Sequence, residues 1–148
     1  MNEQPDSATE LRARALRLLA RREHSRAELE RKLGPHAASP EIIGGILDTL
    51  AQKKQLSDVR YAEERARSLS RKYGVARIRH ELKAKGVDKE TIDKISSEGE
   101  LERARAILAR KYREPAATRE ERATRMRFLQ GRGFSYDVIR QALAANTD

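Results

Sequence analysis

The chain has 148 residues, of which 37% are charged and only 4% aromatic, with no tryptophan, a composition that argues against one large spherical core and for thin helical layers seamed by Leu, Ile and Ala. Lysine and arginine total 32 against 23 acidic residues, and the net charge of +9 suits a polyanion or an acidic protein surface as partner without choosing between them.

The opening stretch MNEQPDSATE is polar and acidic, with no apolar signal core, and residues 1–7 read as a disordered lead. No run approaches transmembrane length, so no membrane contact and a cytoplasmic location are expected. Leu11, Ala15, Leu18 and Leu19 then recur as one face of a first helix. Ser25 and Glu28 have capping-box spacing and open a second helix through Leu29 and Leu33, which Gly34-Pro35 ends. Pro40 can start a third, with Ile43, Leu47 and Leu50 aligned. Ser57 or Asp58 caps a fourth that carries Ala62, Ala66, Leu69 and Tyr73 and breaks at Gly74. Ile78 and Leu82 mark a fifth, stopped by Gly86, and Asp88 starts a short sixth with Ile92 and Ile95. A seventh runs from about Glu98 to Tyr112 on Leu101, Ala104 and Leu108. Thr118 with Glu121 opens an eighth through Met126 and Leu129, closed by Gly131 and Gly133. Ser135 caps a ninth with Val138, Ile139 and Leu143. Nothing alternates like a strand.

A unit recurs within this series. Leu82 precedes Gly86 by four residues, as Leu129 precedes Gly133; Val87 and Phe134 follow the glycines, and Ile92 and Ile139 lie six residues after them. Residues 29–47 give a looser copy with a longer loop. The expected fold is therefore all-α: three tandem three-helix repeats over 8–54, 57–96 and 98–145, forming an elongated, curved molecule.

Signals for catalysis are missing. There is no cysteine, no phosphate-binding glycine loop, and His24, His36 and His80 have no metal-ligand spacing. Most carboxylates sit three or four residues from a basic partner, as helix-surface ion pairs do. A non-enzyme without cofactor or metal is expected. The basic residues are more informative. From Arg65 to Lys85, eight of the nine charged residues are positive, Glu81 being the exception. Arg60, Arg67 and Arg71 fall along one face of the fourth helix, and Lys72, Arg77, Arg79, Lys83 and Lys85 complete the candidate binding set. Any one of them is explained as well by a solvated helix surface; the cluster is what favours contact with a polyanion or acidic protein. Tyr136, at the exposed start of the last helix, could stack on a base, although packing against the preceding helix explains it too.

Three blocks carry a resemblance: ALRLLARREHSRAELERKL at 15–33, QLSDVRYAEERARSLSRKYGVARIRHELKAKGV at 55–87, and RFLQGRGFSYDVIRQAL at 127–143. Their order and spacing resemble the RecX family, bacterial regulators of the RecA recombinase, over about residues 11–145. Asp58, Arg60, Tyr61 and Ala62 match one element of its pattern. Gly74, Arg77, Ile78, Arg79, Glu81, Leu82, Lys85 and Gly86 match a second, and Phe128, Leu129, Arg132, Gly133, Phe134, Tyr136 and Ile139 a third, which adds Arg132 to the candidates. The resemblance implies a monomer that binds the RecA–DNA nucleoprotein filament and single- and double-stranded DNA. It further implies inhibition of RecA ATPase, strand exchange and coprotease activity, and so modulation of recombination, DNA repair and the SOS response. The family has no invariant binding triad to carry over. The alternative is a general DNA- or RNA-binding helical module without a recombinase partner.

Overall fold

The computed structural model describes residues 4–144. Among them are nine α-helices and no strand: α1 (Ala8–Arg21), α2 (Arg26–Leu33), α3 (Pro40–Gln52), α4 (Asp58–Leu69), α5 (Val75–Ala84), α6 (Lys89–Asp93), α7 (Glu100–Lys111), α8 (Arg119–Gly131) and α9 (Tyr136–Ala144). They form three successive sets of three, the all-α repeat architecture that the periodicity indicates. Residues 1–3 of the expected lead, and residue 145 of the third repeat, lie outside the described residues. Within the rest of the lead, the Asp6 N–H donates to the His36 carbonyl at 2.8 Å and the Asp6 carboxylate pairs with Arg14 at 3.0 Å. Ser7 closes a full capping box with Glu10, one helical turn earlier than the apolar pattern marks α1.

The chain divides into two compact units that cut through the middle repeat. The first holds residues up to Glu64 together with Leu82–Ile92, and the second holds Arg65–Glu81 together with the chain from Asp93 onward. In the first, Leu11 and Ala15 of α1, Leu29 and Leu33 of α2, Ile43, Leu47 and Leu50 of α3, and Leu56 make one core. In the second, Ala104, Ile107, Leu129, Phe134, Ile139 and Ala142 make another from α7, α8, α9 and the turn before α9. These are the positions that the 3.6-residue period aligns, and burying them is what stabilises helices this short.

The recurring Leu…Gly-apolar pattern has a definite geometry. Val87 N–H reaches back to the Leu82 carbonyl and Gly86 N–H to that of Lys83; Phe134 and Gly133 repeat both bonds on Leu129 and Gln130. This is the Schellman helix ending, with a glycine at φ +83° or +91° and an apolar residue after it folding onto the core. Lys54, at φ 62°, closes α3 by the same two bonds despite its side chain, a position the sequence does not betray.

The same glycines make the joints between repeats. A Cβ on Gly86 would lie 2.4 Å from the Ala27 Cβ in the first turn of α2, and one on Gly133 would lie 2.4 Å from the Arg77 Cβ in the first turn of α5. Beside the first contact, Ser25 Oγ donates to the Lys85 carbonyl at 2.8 Å; beside the second, Gly74 N–H donates to the Arg132 carbonyl at 2.8 Å. Each joint thus sets the glycine turn of one repeat against the start of the preceding repeat's middle helix. Gly74 is not the helix stop its position suggests. α4 ends at Leu69, whose carbonyl takes both the Lys72 and Tyr73 N–H groups, and Gly74 serves the joint: a Cβ there would lie 2.5 Å from the Gly133 carbonyl oxygen.

Candidate nucleic-acid interface

The second joint brings two stretches of backbone side by side, Lys72–Gly74 and Arg132–Gly133, and so sets up the most basic feature of the second unit. Arg132 caps α8, its carbonyl held by Gly74, while its guanidinium reaches the Lys72 carbonyl at 3.4 Å. Arg110, in the last turn of α7, donates to the Arg71 carbonyl at 2.7 Å. Between them opens a cleft of about 420 Å³, lined by Arg71, Lys72, Tyr73, Ile107, Arg110, Lys111, Phe128 and Arg132. Glu100 secures the same region from below: it is buried, and its carboxylate accepts the Val75 N–H at 2.6 Å, capping α5 from α7.

Cations and rings alternate in the cleft and beside it. Arg77 lies 4.4 Å from the Tyr73 ring centroid and Arg132 5.4 Å from it; Arg132 is also 5.1 Å from Phe128, and Lys111 is 4.1 Å from Phe128. Tyr112 meets Phe128 edge-on at 6.2 Å and carries Arg125 at 4.3 Å. Each cation–ring pair falls within cation–π range.

The partners that hold these cations are carbonyls and rings, not carboxylates. Part of the arrangement is ordinary helix chemistry, since Arg110, Lys111 and Arg132 sit at helix C-termini, where the macrodipole favours positive charge. Two such termini supply roughly one half of a negative charge each. The cleft lines up five full positive charges, with Arg77 beside them, so the residue is strongly electropositive and suited to forked contacts with phosphate.

Of the residues singled out from sequence, Arg71, Lys72, Arg77 and Arg132 come together here. Arg71 follows α4 rather than continuing the face of Arg60 and Arg67, because the helix has already ended. The others stand apart in their surroundings. Arg60 pairs with Glu23 at 2.8 Å and donates to the Lys54 carbonyl at 2.7 Å within the first unit. Asp58, of the same sequence element, accepts the Arg26 N–H at 2.8 Å and caps α2; burial raises its carboxyl above the ordinary range despite that bond. Arg79 is half-buried, donates to the Ile95 carbonyl at 2.7 Å, and leaves its buried Nε without a partner, so it braces the segment after α6. Arg67 and Lys83 are exposed, Lys85 is half-buried, and Tyr136 is 65% exposed. Sequence reading missed Arg110, Lys111 and Phe128 as site residues and took Tyr73 for a packing residue. The signal available was a basic or aromatic residue at each helix C-terminus facing the 70–74 connector.

A second polar cluster lies in the first unit, its groups bonded to one another. Arg22 holds Glu28 through both carboxylate oxygens, at 3.3 and 3.0 Å, and Glu28 completes the Ser25 capping box. Burial alone would raise the Glu28 carboxyl, but the bonds from Arg22 and the Ser25 backbone hold it below its ordinary value. His24, 2% exposed, sits between the Arg22 carbonyl at Nδ1 and the Lys32 ammonium at Nε2, 3.1 and 3.0 Å away. Burial holds its pKa below the usual imidazole range, so the ring is neutral, donating from Nδ1 and accepting at Nε2. Among the described residues no group of His, Asp and Glu could hold a metal, and no helix is long and apolar enough to cross a membrane.

Comparison with known proteins places the chain in a family. The RecX three-helix domain models match in order: the first over residues 12–50, the second over 57–94 and the third over 98–143. The chain is 46% identical over 137 residues to the regulatory protein RecX of Leptothrix cholodnii, covering 90% of this chain and 87% of that one. It is 43% identical over 141 residues to the regulatory protein RecX of Herbaspirillum seropedicae, covering 93% and 92%. The crystal structure of RecX from Lactobacillus salivarius superposes with a TM-score of 0.80 at 23% identity, over 93% of this chain and 95% of that one.

Proposed function

The chain belongs to the RecX family, and on that premise we propose that it is a non-catalytic regulator that binds the RecA–DNA nucleoprotein filament. In this reading it lowers RecA ATP hydrolysis, strand exchange and coprotease activity, and so modulates recombination, repair and the SOS response in the cytoplasm. The relatives' name, regulatory protein, supports a role without chemistry of its own. The observation that carries the DNA half is the cleft of the second unit, where cations converge with only carbonyls and rings to hold them. A binder of this kind acts by differential affinity, favouring a stalled filament over a growing one. The three repeats, taken as 8–54, 57–96 and 98–145, would supply the surfaces for RecA, and a single copy would suffice.

The test is DNA-dependent ATP hydrolysis by purified RecA with this protein at substoichiometric amounts. Wild type should inhibit, and Lys111→Ala with Arg132→Ala should inhibit less while melting near wild type. Absence of inhibition by wild type overturns the reading and leaves the general nucleic-acid module. A salt titration separates the two further: phosphate binding alone weakens steeply with log salt, whereas binding to a RecA filament retains a component that does not.

A further inference from the structure

The reading of the cleft as a DNA-contacting surface leaves open what part of the strand it touches, and the rings decide that. Exposed aromatics in a basic groove ordinarily serve as platforms on which unstacked bases lie. Tyr73 and Phe128 are poorly placed for that. Both are half-buried, and each already has two cations within 5.4 Å of its ring centroid. A base stacking there would compete with a guanidinium or ammonium for the ring.

The cations are differently placed. Arg132 gives one N–H to the Lys72 carbonyl and Arg110 one to the Arg71 carbonyl, and a guanidinium has five donors in all. Arg71, Lys72, Arg110 and Lys111 are exposed. Their free donors converge on the cleft from the 70–74 connector, the end of α7 and the end of α8, three backbone segments fixed by the glycine joint and the Glu100 cap.

We propose that the cleft grips the sugar–phosphate backbone of a nucleic-acid strand and leaves its bases unread, with Tyr73 and Phe128 acting as positioning residues that hold the cations in place. The proposal rests on the DNA-binding reading above. It assigns the rings a role opposite to the usual one: they order the charges and do not touch the ligand.

The experiment uses the full chain and fluorescence anisotropy with two labelled strands of equal length, an oligothymidylate and a wholly abasic strand with the same phosphates. Wild type should bind both within about twofold, since a single stacked base would contribute roughly 5- to 150-fold. Tyr73→Phe should bind as wild type does. Tyr73→Leu should weaken both strands equally, by about fivefold, through loss of cation ordering, with an unchanged salt slope because no charge is lost. Lys111→Ala with Arg132→Ala should make the slope shallower by about 1.4, at roughly 0.7 per single-strand contact.

If the abasic strand binds far more weakly than the oligothymidylate, and Tyr73→Leu erases the difference, the cleft is a stacking site and the proposal fails. If the cation double variant binds DNA as wild type does, the cleft is not the DNA surface, and the underlying reading fails instead. Thermal melts accompany each variant. Should Tyr73→Leu not fold, the wild-type comparison of the two strands decides alone.

Discussion

The arginines of the first unit and those around the cleft of the second are held differently. In the first, Arg14 faces Asp6, Arg22 faces Glu28, Arg26 faces Glu30 and Asp48, and Arg60 faces Glu23, each within 3.3 Å. In the second, Arg65 still faces Glu81 at 2.6 Å and Arg140 faces Asp137 at 3.5 Å, but around the cleft Arg77, Arg110 and Arg132 reach carbonyl oxygens, and the rings of Tyr73 and Phe128 carry the cations around them. A carboxylate cancels the charge it holds; a carbonyl or a ring orients the cation and leaves its charge almost whole. The contrast separates arginine as a fastener from arginine whose charge stays available, and net charge cannot reveal it.

Packing should not distinguish the units. Leu82→Ala in the first and Leu129→Ala in the second both remove a fully buried Schellman leucine, and each should destabilise by roughly 2–5 kcal/mol in denaturant unfolding. A near-zero change at either would remove that leucine from its core.

The contrast appears in the next pair. Glu28→Ala strips a buried carboxylate of its charged hydrogen bonds and its cap, and should cost about 2 kcal/mol while leaving DNA affinity unchanged wherever the protein remains folded. Arg71→Ala with Lys111→Ala should cost under about 1 kcal/mol, since both are exposed, yet should weaken DNA binding and flatten its salt dependence. The reverse pattern, with DNA affinity following Glu28, would dissolve the distinction.

Acid sharpens it further. His24 is held neutral below its ordinary pKa, so below about pH 6.5 the unfolded chain takes up a proton that the folded chain refuses. Stability from this group is therefore complete above that pH and declines as pH falls towards the folded value, by at most about 1.4 kcal/mol per pH unit. Unfolding at pH 7.5 and 5.5 should show the decline in wild type and less of it in His24→Gln. Glu28 adds a second loss at lower pH, which begins as the unfolded carboxylate protonates near its ordinary value and is complete once the depressed folded carboxyl has protonated too.

The fold was legible because its signals are local. Leu82–Gly86–Val87 and Leu129–Gly133–Phe134 encode a helix ending in consecutive residues, and a helix face repeats within two turns. The cleft was only half legible because it is assembled from residues 71–73, 107–111 and 128–132. Arg71, Lys72 and Arg77 stood out as a charge run, but Arg110, Lys111 and Phe128 join them only through the joint at Gly74 and Gly133. Charge counting also promoted Arg60 and Arg79, whose guanidinium groups are held by Glu23 and the Ile95 carbonyl, facts of three-dimensional pairing.

The joint has a direction, with consequences for self-assembly. Each one needs a left-handed glycine turn on the later repeat and an accepting first helical turn on the earlier one. The first turn of α8 receives no such turn among the described residues, and presents Arg119, Glu120, Glu121 and Arg122 to solvent instead. At the other end, the matching turn of the first repeat is a tight 3-10 turn in which Gly34 has φ −49° before Pro35, a right-handed conformation that cannot imitate Gly86 or Gly133. Head-to-tail stacking of one copy on another by this joint would generate an open polymer. Gly34, as it is folded, therefore offers no copy of the left-handed turn that Gly86 and Gly133 bring to their joints.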